Sequence, residues 1–279
     1  MVKALFITGN KRSGTSQLVR LLNLHPQVFV SHESDVIWIL YQFRQYKPFV
    51  SYPQDSPKGM EDALKKCGHL LDHKKTPAEN FFAFENCLME KGTPWLPSMR
   101  KIDLLWVGDK KPFQYADPDL AEFILDNFSE ACFIHIIRHP FSVAVSSEAF
   151  NKTPDGDFWN GLTLEEVVEK WTENEKKVLG LKQDKRVKIL DIRYEDLCQD
   201  AGKELKRVFD FLGLDVNENI LKKASKETLY TEKNIPKIQC SQETRSIMKQ
   251  YGYEADGVTR NPLELAFRNI YWKLKKKIR

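Results

Sequence analysis

The sequence predicts an α/β fold, a mostly parallel central sheet covered by helices on both faces. Three observations predict it. Short apolar runs alternate with helix-like patterns along most of the chain, and strands joined through helices pair parallel and bury both faces. The first apolar run passes straight into a glycine-bearing loop and then a helix, "FITGNKRSGTSQLVRLL" (6–22), the strand–loop–helix order of a three-layer, P-loop-like domain. Residues 34–103 break the alternation and are rich in aromatics, among them Trp38, Tyr41, Phe43, Tyr52, Phe81, Phe84 and Trp95. They read as a largely helical insertion that covers the strand ends.

Each element follows in order. "VKALFIT" (2–8) is a short apolar run ending at a glycine, a buried strand. "SQLVRLLNLH" (16–25) puts Leu18, Leu21, Leu22 and His25 on one helical face, and Pro26 ends it. "VFVSH" (28–32), "LLWVG" (104–108), "CFIHII" (132–137) and "VKILDIRY" (187–194) read as further strands. Asp117-Pro118 is a cap with proline at the first helical position. Thr163 and Glu166 form a capping-box pair at the start of another helix. "GKELKRVFDFLG" stops at Gly213.

Composition bounds the class. The chain has 279 residues, 42% hydrophobic and 29% charged, enough for a substantial core and read as a single domain over 1–279. The net charge of +4, from 43 basic and 39 acidic residues, is too mild to imply nucleic acid. The five cysteines, Cys67, Cys87, Cys132, Cys198 and Cys240, are odd in number and form no C-x-x-C, the pattern of free thiols in a reducing compartment. The apolar run at Ala4–Ile7 is too short for a secretory signal core, and no stretch is long enough to cross a membrane. The expectation is a cytoplasmic protein; its oligomeric state is not readable.

Gly9, Gly14 and Ser16 match G-x-x-x-x-G-K-[ST], but Thr15 stands where the lysine belongs. In an ATPase that lysine reaches the β- and γ-phosphates. Here Ser13, Gly14, Thr15 and Ser16 offer N–H groups and hydroxyls at a helix start, and Arg12 offers a forked cation. That suits one terminal phosphate better than a chain of three. Taken alone, the glycine spacing is equally a plain turn.

"KRSGTSQLVRLLNLHP" (11–26) resembles the 5′-phosphosulfate loop of sulfotransferases that use 3′-phosphoadenosine 5′-phosphosulfate (PAPS). "FIHIIRHPFSVAVSS" (133–147) is similar to that family's 3′-phosphate site, a strand ending in arginine with a serine eight residues on, here Arg138 and Ser146. "IRYEDL" (192–197), followed by a helix ending "FLGL", resembles a third family segment. The resemblance implies a PAPS co-substrate bound by Arg12, Ser13, Gly14, Thr15, Ser16, Arg138, Ser146 and Tyr194, with no metal. Arg12 would stabilise the leaving phosphate. The resemblance to the branch that includes tyrosylprotein sulfotransferases, with its glutamate 21 residues past the loop arginine, implies Glu33 as the base. His32 stands as the alternative; as strand neighbours the two point to opposite faces. "GDKKPF" (108–113) is similar to a K-x-P segment, implying that Lys110 lies near the sulfuryl group. Lys110 and Lys111 read equally as a solvated pair, Arg138 as a surface salt bridge, and Tyr194 as a core tyrosine.

Other patterns compete. Asp109 ends a strand like a Walker B aspartate, which would hold magnesium for an ATP-dependent kinase with a degenerate loop. His69 and His73, four apart with Cys67 nearby, have zinc-like spacing but no second cluster. The acceptor is expected to be a small molecule or carbohydrate, its pocket built by the aromatic insertion and "NKTPDGDFWNG" (151–161), where Asp35, Asp155 and Asp157 could suit a cation. Lys233 and Lys237 could close over the donor, and the basic tail 271–279 could touch an anionic surface.

Overall fold

A computed structural model describes residues 2–53, 55–153, 161–226 and 235–254. The chain divides into two compact units, residues 1–138 with 171–230, and residues 139–170 with 231–279. In chain order the elements are β1 (Lys3–Gly9), α1 (Thr15–Leu22), β2 (Val28–His32), α2 (Val36–Arg44), α3 (Lys58–Cys67), α4 (Pro77–Lys91), β3 (Trp106–Lys110), α5 (Pro118–Asn127), β4 (Cys132–Ile137), α6 (Pro140–Asn151), α7 (Leu164–Leu181), β5 (Lys188–Arg193), α8 (Tyr194–Gln199), α9 (Ala201–Leu212), α10 (Glu218–Ala224) and α11 (Gln242–Gln250).

The first unit carries one five-stranded sheet in the order β2-β3-β1-β4-β5, with all pairs parallel. The chain runs from β1 to β2 and β3 on one side, then crosses β1 to place β4 and β5 on the other. Such a switch point opens a crevice at the carboxyl ends of the strands, where α/β proteins bind ligands. The loop after β1 lies at that place.

Alternation along the strands splits the core in two. Phe6, Phe29, Val107 and Phe133 face α2, α4 and α5, while Leu5, Ile7, Val28, Ile134 and Ile136 face α1 and α9. Phe6 is the centre of an aromatic cluster, 5.3–5.6 Å from the rings of Phe81, Tyr115, Phe128 and Phe133, two of them met edge to face, a geometry that rings favour. The segment 34–103 therefore does more than cap strand ends, because Phe81 and Phe84 of α4 are core residues on one sheet face. β2 is an edge strand. Asn23 covers it by accepting from Val30 N–H and donating to Val30 O, 2.9 Å each, which blunts the free edge.

The strand bounds follow the apolar runs to within one residue, except at β3. β3 begins at Trp106 and takes in Asp109 and Lys110, two residues beyond the expected end at Gly108. Charged residues are carried inside a buried strand end because each finds a partner there.

The caps explain the helix ends. Thr76 and Glu79 close a capping box at α4, Asp117 caps α5, and the Thr163–Glu166 pair is formed in both directions. Gly213 ends α9 with φ +67°.

The cysteine expectation is corrected at α3 and α4. Cys67 and Cys87 are joined in a disulfide with Cα atoms 6.0 Å apart, while Cys132, Cys198 and Cys240 are in no disulfide. Two helices packed side by side bring together cysteines 20 residues apart, a proximity no spacing rule contains. Cys67 is therefore not a zinc ligand. His73 is stacked between Phe43 and Tyr46, with centroids 3.8 and 4.4 Å away.

In the second unit, His139 precedes α6 and accepts from Phe141 N–H through Nδ1. Its Nε2 therefore carries the proton and donates to Glu254 O at 3.1 Å. Asp155, Asp157, Lys233 and the tail 271–279 lie outside the described residues. Lys237 is exposed.

Candidate active site

The loop between β1 and α1 is a cradle of donors. Gly14 is the N-cap of α1 with φ +89° and offers no side-chain cap. The N–H groups of Gly14, Thr15 and Ser16 have no hydrogen bond among the described residues, as expected of a first helical turn. Ser13 Oγ is buried and without a partner among those residues. Orphaned donors at the positive end of a helix fit an anion.

Two cations approach this loop. Arg12 is exposed, with φ +66°. Arg138, just past β4, is buried and donates from Nη1 to Arg12 O at 2.7 Å. Its guanidinium lies over the Tyr194 ring, 4.4 Å from the centroid, and its own carbonyl accepts from Trp171 Nε1. Arg138 is thus no surface salt-bridge residue. Tyr194 has its ring against Gly14, where a Cβ would fall 2.2 Å from Cδ2. Ser146 belongs to the second unit, half-buried on α6.

A second group forms where β2 and β3 end. Register places Ile7, Lys110 and His32 abreast. Glu33 leaves the strand with φ +53°, and its N–H donates to Lys110 O at 3.0 Å. Strand alternation therefore stops at His32, and the opposite-face argument does not reach Glu33. Lys110 Nζ lies 2.5 Å from Glu33 Oε1 and 3.4 Å from Ser16 Oγ. One ammonium thus touches both the candidate base and the anion loop.

Charge states follow from these contacts. Burial alone would raise the Glu33 pKa, but Lys110, then His32 and Lys111, outweigh it and hold the carboxyl well below the usual range. Burial lowers the Lys110 pKa against the pull of Glu33. His32 is pushed down to about 3 by burial and then by Lys110, so the imidazole is neutral. Its Nδ1 is buried without a partner among the described residues.

Sequence reasoning missed two neighbouring networks. Lys111 is not solvated; it is buried between Asp35 and Asp55 at 2.7 and 2.8 Å. Lys11 also meets Asp55 at 2.8 Å, and Gln114 Nε2 donates to Asp35. Burial outweighs these partners and raises the Asp35 pKa to about 6. Asp35 is already committed to Lys111, so it is no free carboxylate for a cationic acceptor. Asp109, weighed above for magnesium, is instead ringed by hydroxyls from Ser31, Ser34 and Tyr115. The only signal for either network was a run of charges at the end of an apolar strand.

Comparison with known proteins places the fold. The sulfotransferase domain from the curacin biosynthetic pathway matches with TM-score 0.58 and 18% identity over 91% of this chain and 99% of that chain. The sulfotransferase domain of the Synechococcus PCC 7002 olefin synthase matches with TM-score 0.54 and 18% identity over 91% and 96%. A sulfotransferase from Mycobacterium avium follows at 0.51 and 10% over 92% and 79%. At these identities the likeness is one of fold. No curated protein sequence gives a significant match. The model of the Sulfotransferase family matches residues 4–218, from β1 through every strand of the sheet to the start of α10, and on that match the chain belongs to the sulfotransferase family.

Proposed function

We propose that the chain moves a sulfuryl group from PAPS to a hydroxyl or amine of a small-molecule or carbohydrate acceptor. One observation carries this reading: Lys110 Nζ bridges Glu33 and Ser16 of the loop. A carboxylate, a cation and an anion cradle thus meet at the carboxyl ends of β1–β3.

The roles follow from the chemistry. The loop N–H groups and Ser13 bind the 5′-phosphate, and Arg12 neutralises charge on it. The acceptor oxygen or nitrogen attacks sulfur; the S–O bond to the phosphate breaks, and its electron pair leaves with adenosine 3′,5′-bisphosphate. The acceptor proton passes to Glu33. Glu33 is a weak base in its pairing with Lys110. A Lys110 that turns toward the negative sulfuryl oxygens releases that carboxylate at the moment of transfer, and attack at sulfur itself acidifies the acceptor proton. Arg138 takes the 3′-phosphate role that the motif implies, and Ser146 shares it on motif spacing alone. Tyr194 supports the site by its packing on Gly14 and Arg138.

The test begins with ligands. Adenosine 3′,5′-bisphosphate should raise Tm, while ATP with magnesium should not; the reverse result overturns the reading in favour of a kinase. Labelled PAPS against an acceptor panel identifies the product. Arg12→Ala should abolish transfer with an unchanged Tm, and full activity would remove Arg12 from its role. A cytoplasmic location belongs to the same proposal, and cell fractionation checks it. No helix among the described residues is long and apolar enough to cross a membrane.

A further inference from the structure

Residues 31–35 and 109–111 run side by side, and beyond the strand ladder and the Lys110–Glu33 pair they are joined at four further points. Asp109 Oδ1 accepts from Ser31 Oγ at 2.9 Å and from Ser34 Oγ at 3.0 Å. Glu33 N–H donates to Lys110 O at 3.0 Å. Lys111 Nζ pairs with Asp35 at 2.7 Å. Within this stretch Glu33 and Asp35 both have positive φ, 53° and 56°, a conformation that a Cβ disfavours.

The cause of the turn lies in those serines. On a strand, residues three apart stand about 10 Å from each other and point to opposite faces. Here Ser31 Oγ and Ser34 Oγ are 3.0 Å apart and share one carboxylate oxygen. The chain between them has to double back, and Glu33 is the residue at which it does so.

Counting protons limits the charge states open to the cluster. Ser31 Oγ sits 3.0 Å from Glu85 Oε1 as well as 2.9 Å from Asp109, and a hydroxyl has one proton to give. Tyr115 OH donates to Asp109 Oδ2 at 2.5 Å. If Asp109 is the carboxylate that takes the protons of Ser31, Ser34 and Tyr115, Glu85 is the neutral acid that donates to Ser31. Burial and the charge of Asp109 both raise the Glu85 pKa, in agreement with that assignment. All five side chains are buried.

We infer that Asp109 is a positioning residue: by gripping Ser31 and Ser34 on either side of Glu33, it holds Glu33 in the left-handed turn that presents its carboxylate to Lys110. Asp109 itself touches no reacting atom. The inference rests on the reading of Glu33 as the base.

Two variants test it in the full chain. Ser34→Ala removes one grip and leaves Asp109 bonded to Ser31 and Tyr115. Asp109→Asn keeps the shape but turns an amide donor toward hydroxyl donors; should it fail to fold, Ser34→Ala carries the test. Ser34→Ala should lower kcat roughly tenfold to a hundredfold, the scale of a small misplacement. Its Kd for adenosine 3′,5′-bisphosphate should stay within about twofold, since the loop after β1 is untouched. The acid limb of the kcat–pH profile should move to higher pH as Glu33 loses Lys110, which a merely structural defect would not produce. Wild-type kcat and pH profile in Ser34→Ala, alongside an inactive Glu33→Gln, would overturn the inference and leave the base in place. An active Glu33→Gln would remove the base assignment instead. The crystal structure of Ser34→Ala then decides on the turn: a Glu33 that stays at positive φ overturns the inference, and one that returns to extended backbone upholds it.

Discussion

At Gly14 two constraints coincide. Its φ of +89° is one that side chains rarely adopt, and the Tyr194 ring occupies the space of a Cβ. Gly14→Ala should therefore cost roughly 1–3 kcal/mol in urea unfolding and weaken binding of adenosine 3′,5′-bisphosphate. The double variant with Tyr194→Ala should recover the steric part of that loss, leaving only the backbone part. Equal losses in both backgrounds would show that the ring does not press on the loop. The loop itself was legible in the sequence because its signal is local: two glycines, an arginine and hydroxyls between a strand and a helix. Glu33 entered as a candidate only through resemblance. Its left-handed turn was not, since the turn is dictated by Asp109, a residue distant in sequence. Asp109 invited a magnesium reading because a buried carboxylate held by three hydroxyls and an exposed one look the same in one-letter code.

Among the elements, β2 and β4 have the expected bounds because each is a continuous apolar run between clear stops. β3 was misplaced by two residues because Asp109 and Lys110 read as loop until their partners are known. α4 shows the opposite difficulty. Phe81, Phe84 and Leu88 keep a helical spacing, but the apolar Phe82, Cys87 and Met89 fall between them and blur the face that packs on the sheet. The α3–α4 disulfide was equally hidden, and it carries its own test. A bond closing a separation of 20 residues stabilises by about 3 kcal/mol in the chain-entropy account. Reducing agent should lower Tm by several degrees in the wild type and have no effect on Cys87→Ser. A wild type indifferent to reduction would mean that the two thiols are unpaired in solution, as they are expected to be in a reducing compartment.

The first unit as a whole carries a pH dependence that the sequence did not announce. His135 of β4 is fully buried, with Nε2 3.3 Å from Glu175 and Nδ1 2.9 Å from Asp191. Lys182 also binds Asp191, and Asn10 of the loop donates to Glu175 at 2.7 Å. Burial opposes the imidazolium, but Glu175 and Asp191 prevail and raise the His135 pKa to about 8. A pKa raised by folding contributes its stability in full below the ordinary value near 6.5, and that stability is lost as pH rises through about 8. The contribution is roughly 2 kcal/mol. Urea unfolding should show the wild type weakening between pH 6 and 9 by about this amount and His135→Gln weakening less over that range; parallel curves would refute the ion cluster. The sheet order has a consequence for how the molecule is made. β1 pairs with β3 and β4, both later in the chain. On the ribosome, β1 must wait for Cys132–Ile136 to emerge before both its edges are filled, on the order of ten seconds at ordinary synthesis rates. Such long-range pairing is entropically late in folding. The anion cradle, encoded at the very start of the sheet, is thus completed only after most of the sheet has been synthesised.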